Sequence, residues 1–265
     1  MMESESELRI CSKCNGEKEM VRSVLGKMVK LPIMCECEAE EYKLQRDLQD
    51  KKETILKLEK LRKHSLMDNR FKNCTFDNFI VEDSNKTYLN LAKKYVENFK
   101  EIKDSNMGLL FYGPPGTGKT YLAFCIANEL MKGLTPVIAI SSIGLLNQIK
   151  ETYKKYGKEG EYEIINALKN ASLVVLDDLG SESGTEWARE KLYEIIDSRY
   201  RDNKPIIITT NLSQNELMNK LASGDGVNRT YDRIVEMCTQ IEVKGKERRK
   251  IAGQIKQDRL RELLR

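Results

Sequence analysis

Residues 113–120 read GPPGTGKT, and this stretch sets the main constraint on the fold. It follows an apolar segment, NMGLLFY, and leads into TYLAFCIANELMKGL, so it joins a predicted strand to a predicted helix. Glycines here let backbone N–H groups turn inward around phosphate oxygens, and the dipole of the helix attracts negative charge. In this context the spacing G-x4-G-K-[ST] predicts a phosphate-binding loop rather than an ordinary glycine-proline turn.

The loop predicts a nucleotide with its metal ion, ATP with Mg²⁺. Lys119 is expected to reach the β- and γ-phosphates, and Thr120 is expected to offer its hydroxyl group to Mg²⁺. The residues expected to bind the cofactor are Gly113, Pro114, Pro115, Gly116, Thr117, Gly118, Lys119, Thr120 and Tyr121.

Two adjacent aspartates follow the apolar part of LVVLDDLG, residues 173–180. Neighbouring carboxylates repel each other, so a positive partner is expected nearby, and Mg²⁺ with its nucleotide supplies one. We expect Asp177 to hold Mg²⁺, and Asp178 to polarise the attacking water where many ATPases carry a longer glutamate. Taken alone, Asp178 would equally suit a turn or a helix cap.

Asn211 ends a later predicted strand, PIIITTN, and its role depends on where that strand lies. If the strand lies between the strand before the loop and LVVLDD, Asn211 would meet the γ-phosphate or the attacking water. Taken alone, the residue is better explained as part of a turn or as a helix cap.

Short apolar strands alternate with helical segments in the larger part of the chain. The predicted strands are NMGLLFYG, TPVIAIS, LVVLDD and PIIITTN; residues 213–240 are predicted mostly helical, and the tail from Lys244 reads as a basic helix. The pattern predicts an α/β fold with a central parallel sheet flanked by helices. The polar segment 41–70 reads as a helical connector between a small N-terminal module, residues 1–40, and the main domain, residues 71–265.

Four cysteines lie in the N-terminal module with the spacing C-x2-C and then C-x-C: Cys11, Cys14, Cys35 and Cys37. Four thiolates close a tetrahedral Zn²⁺ site, and a segment with so few core residues needs a metal to fold. The second pair is tighter than usual, and four unligated thiols are the alternative. The residues between the pairs suit a short hairpin around Gly26. His64, the one histidine, lies too far along the connector to be expected as a ligand.

The composition bounds the class of protein. With 265 residues, of which 40% are hydrophobic and 32% charged, a soluble globular chain is expected. A net charge of +4 is too small to establish a nucleic-acid partner by itself. No apolar run approaches the roughly 18 residues of a membrane span, and the N-terminus has no apolar signal core, so we expect a cytoplasmic protein. In that compartment the seven cysteines favour metal binding or free thiols over disulfides.

The motifs GPPGTGKT, LVVLDDLG, IIITTN and NRTYDRI occur in the order and spacing of AAA+ ATPases. The form DDLG resembles the DnaC/DnaI-type replicative helicase loaders of bacteria and their phage relatives, and the IstB-type transposition ATPases share it. The resemblance implies that Asp177 is the Mg²⁺ ligand, Asp178 the catalytic acid and Asn211 the sensor of the γ-phosphate. The cysteine-bearing N-terminus is similar to the zinc-containing helicase-binding domain of the DnaI branch.

The same resemblance implies two arginines at the nucleotide. Arg233, in TYDRI, matches the arginine finger that reaches the nucleotide of the next subunit, and Arg229 is the competing choice. A second-sensor arginine is expected near the C-terminus, within GKERR at residues 245–249. Glutamate stands there in place of the family's serine, so Arg248 is the candidate and Arg249 stays open.

The resemblance implies an ATP-dependent loader that binds the replicative hexameric helicase and single-stranded DNA, and that forms a homo-oligomer when ATP is bound. The cysteine module would bind the helicase, and the ATPase domain would bind the DNA. One alternative is an IstB-like helper that remodels DNA for a transposase. Another is a nucleotide-switched DNA-binding protein with slow hydrolysis, which Asp178 in place of glutamate would suit. The basic tail would face DNA or carry the sensor, or it is a solvated helix.

Overall fold

The computed structural model describes residues 9–24, 26–62, 72–155, 158–224 and 226–264. The chain divides into two compact units, Met1–Leu56 and Lys57–Arg265. That division lies inside the segment predicted as a connector, and the sequence-based boundaries at residues 40 and 70 stay predictions. His64 lies outside the described residues.

The first unit contains a hairpin and the start of a long helix. Strand β1 (Glu19–Val24) pairs antiparallel with β2 (Lys27–Pro32), and Gly26 in the connection has a φ of 79°. The expected hairpin is therefore present. Helix α1 (Glu36–Arg62) begins beside the second pair of cysteines. Along the described strands every side chain is exposed or half-buried, so the hairpin buries little apolar surface of its own.

The second unit is built on a parallel sheet of five strands in the order β4-β5-β6-β3-β7. The strands are β3 (Gly108–Tyr112), β4 (Val137–Ser141), β5 (Leu173–Asp177), β6 (Ile206–Thr210) and β7 (Cys238–Glu242). The predicted α/β fold with a central parallel sheet flanked by helices is confirmed, and β6 does lie between β3 and β5. The prediction missed β7, which falls at the end of the segment expected to be mostly helical.

Helices cover both faces of the sheet. In chain order they are α2 (Lys86–Glu97), α3 (Phe99–Asp104), α4 (Lys119–Lys132), α5 (Ser142–Lys155), α6 (Lys158–Asn170), α7 (Glu186–Arg201), α8 (Gln214–Leu221), α9 (Arg229–Met237) and α10 (Arg248–Leu263). Strand β5 sends Leu173 and Val175 into the core beneath α2 and α4, and Val174 and Leu176 into the core beneath α5 to α9. This double burial explains why the strand is apolar without interruption. None of the helices in the described ranges is long and apolar enough to span a membrane.

Candidate nucleotide-binding site and cysteine cluster

The phosphate loop joins β3 to α4, as the sequence predicts. Gly113 and Gly116 have φ angles of 130° and 83°, where a residue with a side chain would be strained. A Cβ atom on Gly113 would also come 2.9 Å from the carbonyl oxygen of Val243, and one on Gly116 would come 3.3 Å from the Cα atom of Glu247. The loop can therefore approach the C-terminal segment closely only because it contains glycine at these two positions.

Lys119 lies at the start of α4 with only 5% of its surface exposed. Its Nζ atom donates to the carbonyl oxygens of Gly113 and Pro114, at 2.7 and 2.8 Å, and to Oδ1 of Asn211 at 2.8 Å. Burial lowers the pKa of the ammonium group to about 8, although the carboxylates of Asp178 and Asp177 oppose this shift. The amine lies in a poorly hydrated site, and an anion bound next to it would stabilise its positive charge.

The two aspartates lie at the carboxyl end of β5, and Thr209 on β6 joins them. Its hydroxyl group donates to Oδ1 of Asp177 at 2.6 Å and accepts from the backbone N–H of Asp178 at 2.9 Å. Asp177 is 7% exposed, and this burial raises the pKa of its carboxyl group, while hydrogen bonds from Thr209 and Thr120 oppose the shift. The two residues expected to hold Mg²⁺, Thr120 and Asp177, therefore lie side by side.

Asn211 connects the phosphate-loop lysine to the second aspartate. While its Oδ1 atom accepts from Lys119, its Nδ2 atom donates to Oδ1 of Asp178 at 2.7 Å. Asp178 itself has a φ of 56°, in the left-handed region, which is unusual for a residue other than glycine. The position expected for Asn211 from strand order is therefore the observed one; its role as a sensor stays a prediction.

A cavity of about 340 Å³ opens at this edge of the sheet, next to Lys119 and the two aspartates. Its wall includes most of the expected residues but also two that were not predicted, Cys74 and Thr209. Thr209 lies two residues before Asn211 in the predicted strand PIIITTN, and residues two apart in a strand share a face, so this signal was available in the sequence. Cys74 lies in the stretch SLMDNRFKNCTFDNF, which resembles phage-type loaders but contains no phosphate-binding motif, so its place beside the cavity was not predicted.

Both candidate second-sensor arginines line the cavity, but they face different partners. Arg248 donates from Nη2 to the carbonyl oxygen of Ile80 at 3.0 Å, and its Cζ atom lies 5.6 Å from the ring centre of Phe79. Arg249 is exposed, and its positive charge lowers the pKa of both Lys119 and Asp177. Of the two, Arg249 is thus the one that acts electrostatically on the residues expected around the phosphates.

Arg233 lies on α9, away from the residues that line this cavity. Its Nη2 atom is 2.7 Å from Oδ1 of Asp197, and its Cζ atom lies 4.6 Å from the ring centre of Tyr193 and 5.6 Å from that of Tyr200. An arginine finger acts on the nucleotide of another subunit, so the location of Arg233 within its own subunit does not test this role. The role of Arg233 as a finger stays a prediction. Arg229 borders a separate cavity of about 300 Å³.

The first unit brings its four cysteines together. The sulfur atoms of Cys11, Cys14, Cys35 and Cys37 all lie within 4.8 Å of one another, with 3.6 Å between those of Cys11 and Cys37 and 3.3 Å between those of Cys35 and Cys37. Sulfur atoms around a tetrahedral Zn²⁺ lie about 3.8 Å apart, because each Zn–S bond is about 2.3 Å. The four residues therefore fit a closed zinc site.

Known proteins are similar to this chain in sequence and in structure. The profile of the IstB-like ATP binding protein family matches residues 39–254. A protein of Escherichia coli K12 named replicative helicase loader DnaC is 32% identical over 147 residues, which cover 55% of this chain and 58% of that protein's own length. Among solved structures, the DnaC helicase loader has a TM-score of 0.57 and 29% identity, covering 67% of this chain and 100% of that one. The crystal structure of DnaI has a TM-score of 0.58 and 26% identity, covering 69% and 95%.

The family profile and the observed site agree on the same region of the chain. The profile spans the phosphate loop, both aspartates and Asn211, which the fold gathers at one edge of the sheet. The chain therefore belongs to the family of IstB-like ATP binding proteins, within the AAA+ ATPases.

Proposed function

We propose that this protein is an ATP-dependent loader that binds a replicative helicase and helps to place it on single-stranded DNA when replication begins. The observation that carries the proposal is the hydrogen-bonded series Lys119–Asn211–Asp178, which connects the phosphate loop to the candidate catalytic acid. It occurs in a chain whose curated relatives include proteins named replicative helicase loader. As a replication factor of a bacterium or its phage, the protein would act in the cytoplasm.

In the proposed nucleotide site each residue has a separate task. Lys119 exchanges its bonds to the loop carbonyls for the β- and γ-phosphates, and Thr120 and Asp177 hold Mg²⁺. The metal ion, when bound, neutralises the charge that develops on the transferred phosphoryl group. Asn211 meets the γ-phosphate, and Arg249, more than Arg248, supplies positive charge beside it.

Slow hydrolysis that partners modulate is part of the proposal, and the side chain of Asp178 supports it. Its carboxylate has a shorter reach than that of glutamate, and one of its oxygen atoms, Oδ1, accepts a hydrogen bond from Asn211. Its backbone is fixed because Ser142 and Ser181 donate to its carbonyl oxygen, at 3.0 and 2.6 Å. Water would therefore be oriented mainly by the other oxygen atom, Oδ2, of a short side chain on a fixed backbone.

Assembly would complete the site. In the proposed homo-oligomer Arg233 leaves Asp197, or extends past it, and neutralises transition-state charge on the neighbouring subunit's ATP. ATP between subunits would then favour the assembled form that binds single-stranded DNA.

The cysteine module is proposed as the part that binds the helicase. Its closed set of four thiolates leaves no open position for catalysis, so a structural zinc ion that holds a docking surface is the function that fits its chemistry.

Co-purification with the cognate replicative helicase tests the proposal on the full chain. We expect the wild-type protein to retain the helicase and to transfer it to single-stranded DNA only with ATP. The double variant Cys11→Ser/Cys14→Ser should lose the helicase yet still bind ATP, whereas Cys125→Ala, a buried thiol of α4, should behave as wild type. Retention of a transposase but no helicase would instead support an IstB-like helper.

A further inference from the structure

Helix α10 begins at the nucleotide cavity and leaves the rest of the second unit. The backbone N–H of Arg248, its first residue, donates to the carbonyl oxygen of Gly116 at 3.1 Å, so the helix starts on the phosphate loop. From Gln254 to Leu264 every residue is exposed. A helix without packing partners is only marginally stable in water. Packing against the core of this unit therefore does not explain the exposed part of α10.

The charges of α10 are arranged by face, although its apolar residues are not. At roughly 100° per residue, four basic residues fall within an arc of about 100° on the helix surface, and the acidic residues Glu247, Asp258 and Glu262 fall outside it. We call these four the basic stripe: Arg248, Arg249, Lys256 and Arg259.

The two basic residues of α10 outside the stripe form ion pairs, whereas, among the described residues, Lys256 and Arg259, the outer half of the stripe, do not. Lys250 pairs with Glu247 at 2.6 Å, and Arg261 pairs with Asp258 at 3.3 Å. In the part of the chain that the structure describes, Lys256 and Arg259 have no ion pair. The outer half of the stripe therefore carries positive charge that the described part of the chain does not compensate, whereas Nη2 of Arg248 lies 3.8 Å from Oε2 of Glu82.

The nucleotide site explains only the inner half of the stripe. Arg248 and Arg249 line the cavity. At about 1.5 Å per residue, Lys256 and Arg259 lie roughly 10 to 15 Å farther along the helix axis than Arg249. A row of like charges at this spacing complements a polyanion that continues outward from the cavity.

We propose that the basic stripe binds the phosphate backbone of single-stranded DNA, with Lys256 and Arg259 as its principal contacts; this inference rests on the DNA-binding step of the proposed function. Helix α10 contains no aromatic residue, so its contacts are electrostatic and independent of sequence, without base stacking. The first turn of the helix lines the nucleotide cavity through Arg248 and Arg249, so the outer stripe continues outward from that cavity.

Two charge-matched variants of the full chain test the assignment. Lys256→Gln/Arg259→Gln removes two charges from the stripe, and Lys250→Gln/Arg261→Gln removes two charges from the same helix outside it. The measurement is fluorescence anisotropy of a labelled oligo-dT strand with a non-hydrolysable ATP analogue, over a series of salt concentrations. We expect the stripe variant to bind about tenfold more weakly at 0.1 M salt. The slope of the logarithm of its binding constant against the logarithm of the salt concentration should become less steep by about 1.4, which is about 0.7 for each lost phosphate contact. The control should stay within about twofold of wild type.

The outcomes separate this inference from the function on which it rests. Equal weakening of both variants, or an unchanged stripe variant, would overturn the assignment while leaving DNA binding intact. Normal DNA binding with lost self-association in the stripe variant, measured by sedimentation, would show that a second copy of the chain covers the stripe, and would also overturn it. A wild-type protein that binds no strand would remove the proposed DNA-binding step and the stripe with it. ATPase activity without DNA should match wild type in both variants, because neither pair lines the cavity.

Discussion

The nucleotide site and the cysteine cluster are built in opposite ways. At the nucleotide site, polar side chains stand at the ends of strands β5 and β6, which are buried at every residue. At the cysteine cluster, the neighbouring strands are exposed or half-buried throughout, and the buried side chains are two of the cysteines themselves, Cys11 and Cys35. We therefore expect the fold to hold the ligand site in place in the second unit, and the proposed zinc site to stabilise the fold in the first unit. Removing a ligand should therefore affect activity in one unit and structure in the other.

Metal removal should give the largest effect. We expect one Zn²⁺ per chain, and we expect chelation to unfold the first unit, because structural zinc sites contribute on the order of 10 kcal/mol to folding. Metal analysis of protein purified without chelator measures the content, and hydrogen exchange follows the backbone of residues 9–24 and 26–48. Slow exchange in the second unit should persist. Zinc content near zero, with all four thiols freely titratable, would contradict the prediction.

The substitution Lys119→Ala tests the nucleotide site, which is the other half of the comparison. ATP binding is expected to weaken by about 100-fold or more, because charged hydrogen bonds to the phosphates are lost, while the second unit stays folded. Calorimetric titration with ATP and a thermal melt without nucleotide measure the two effects. Lys132→Ala, at the exposed end of the same helix, is the matched control. A large loss of stability without nucleotide would mean that this site, too, supports its fold.

The substitution Arg233→Ala should leave ATP binding nearly unchanged and lower hydrolysis about tenfold to 100-fold, less than the 10³–10⁵ seen for fingers in GTPases. Mixing Arg233→Ala with Lys119→Ala should restore turnover, because one variant keeps the site and the other keeps the finger. Steady-state ATPase assays of each variant and of the mixture measure this. If the mixture stays inactive, or if Arg229→Ala and not Arg233→Ala loses hydrolysis, the assignment of the finger is wrong.

The smallest effect concerns Thr209, whose hydroxyl group contacts both aspartates. Thr209→Val should raise the Mg²⁺ concentration needed for half-maximal hydrolysis several-fold, and Thr209→Ser should restore it. Thr210→Val is the control, because that buried hydroxyl group donates to the carbonyl oxygen of Leu179. Each valine is expected to cost about 1–3 kcal/mol of unfolding free energy, but only the first should change the response to Mg²⁺. Equal Mg²⁺ profiles for the two would reduce Thr209 to a structural role.

The sequence predicts those parts of the fold that local pattern determines. Uninterrupted apolar runs located the buried strands, and the loop motif located the junction between strand β3 and helix α4. Strand β7, CTQIE, is a short edge strand whose alternating residues are partly exposed, so its pattern does not separate it from the preceding helix. The left-handed backbone of Asp178, the pairing of Arg233 with Asp197 and the different surroundings of Arg248 and Arg249 all depend on neighbours distant in sequence. No local pattern contains that information.

The hydrogen bonds of Lys119 have a consequence for the affinity of the loop for nucleotide. Its ammonium group donates to three acceptors, two loop carbonyls and the side chain of Asn211. An incoming phosphate would have to replace some of these bonds, so the net gain from binding is smaller than the strength of the new charge-assisted bonds alone. We therefore expect the affinity for nucleotide to be set by an exchange of hydrogen-bond partners at Lys119 rather than by its charge alone.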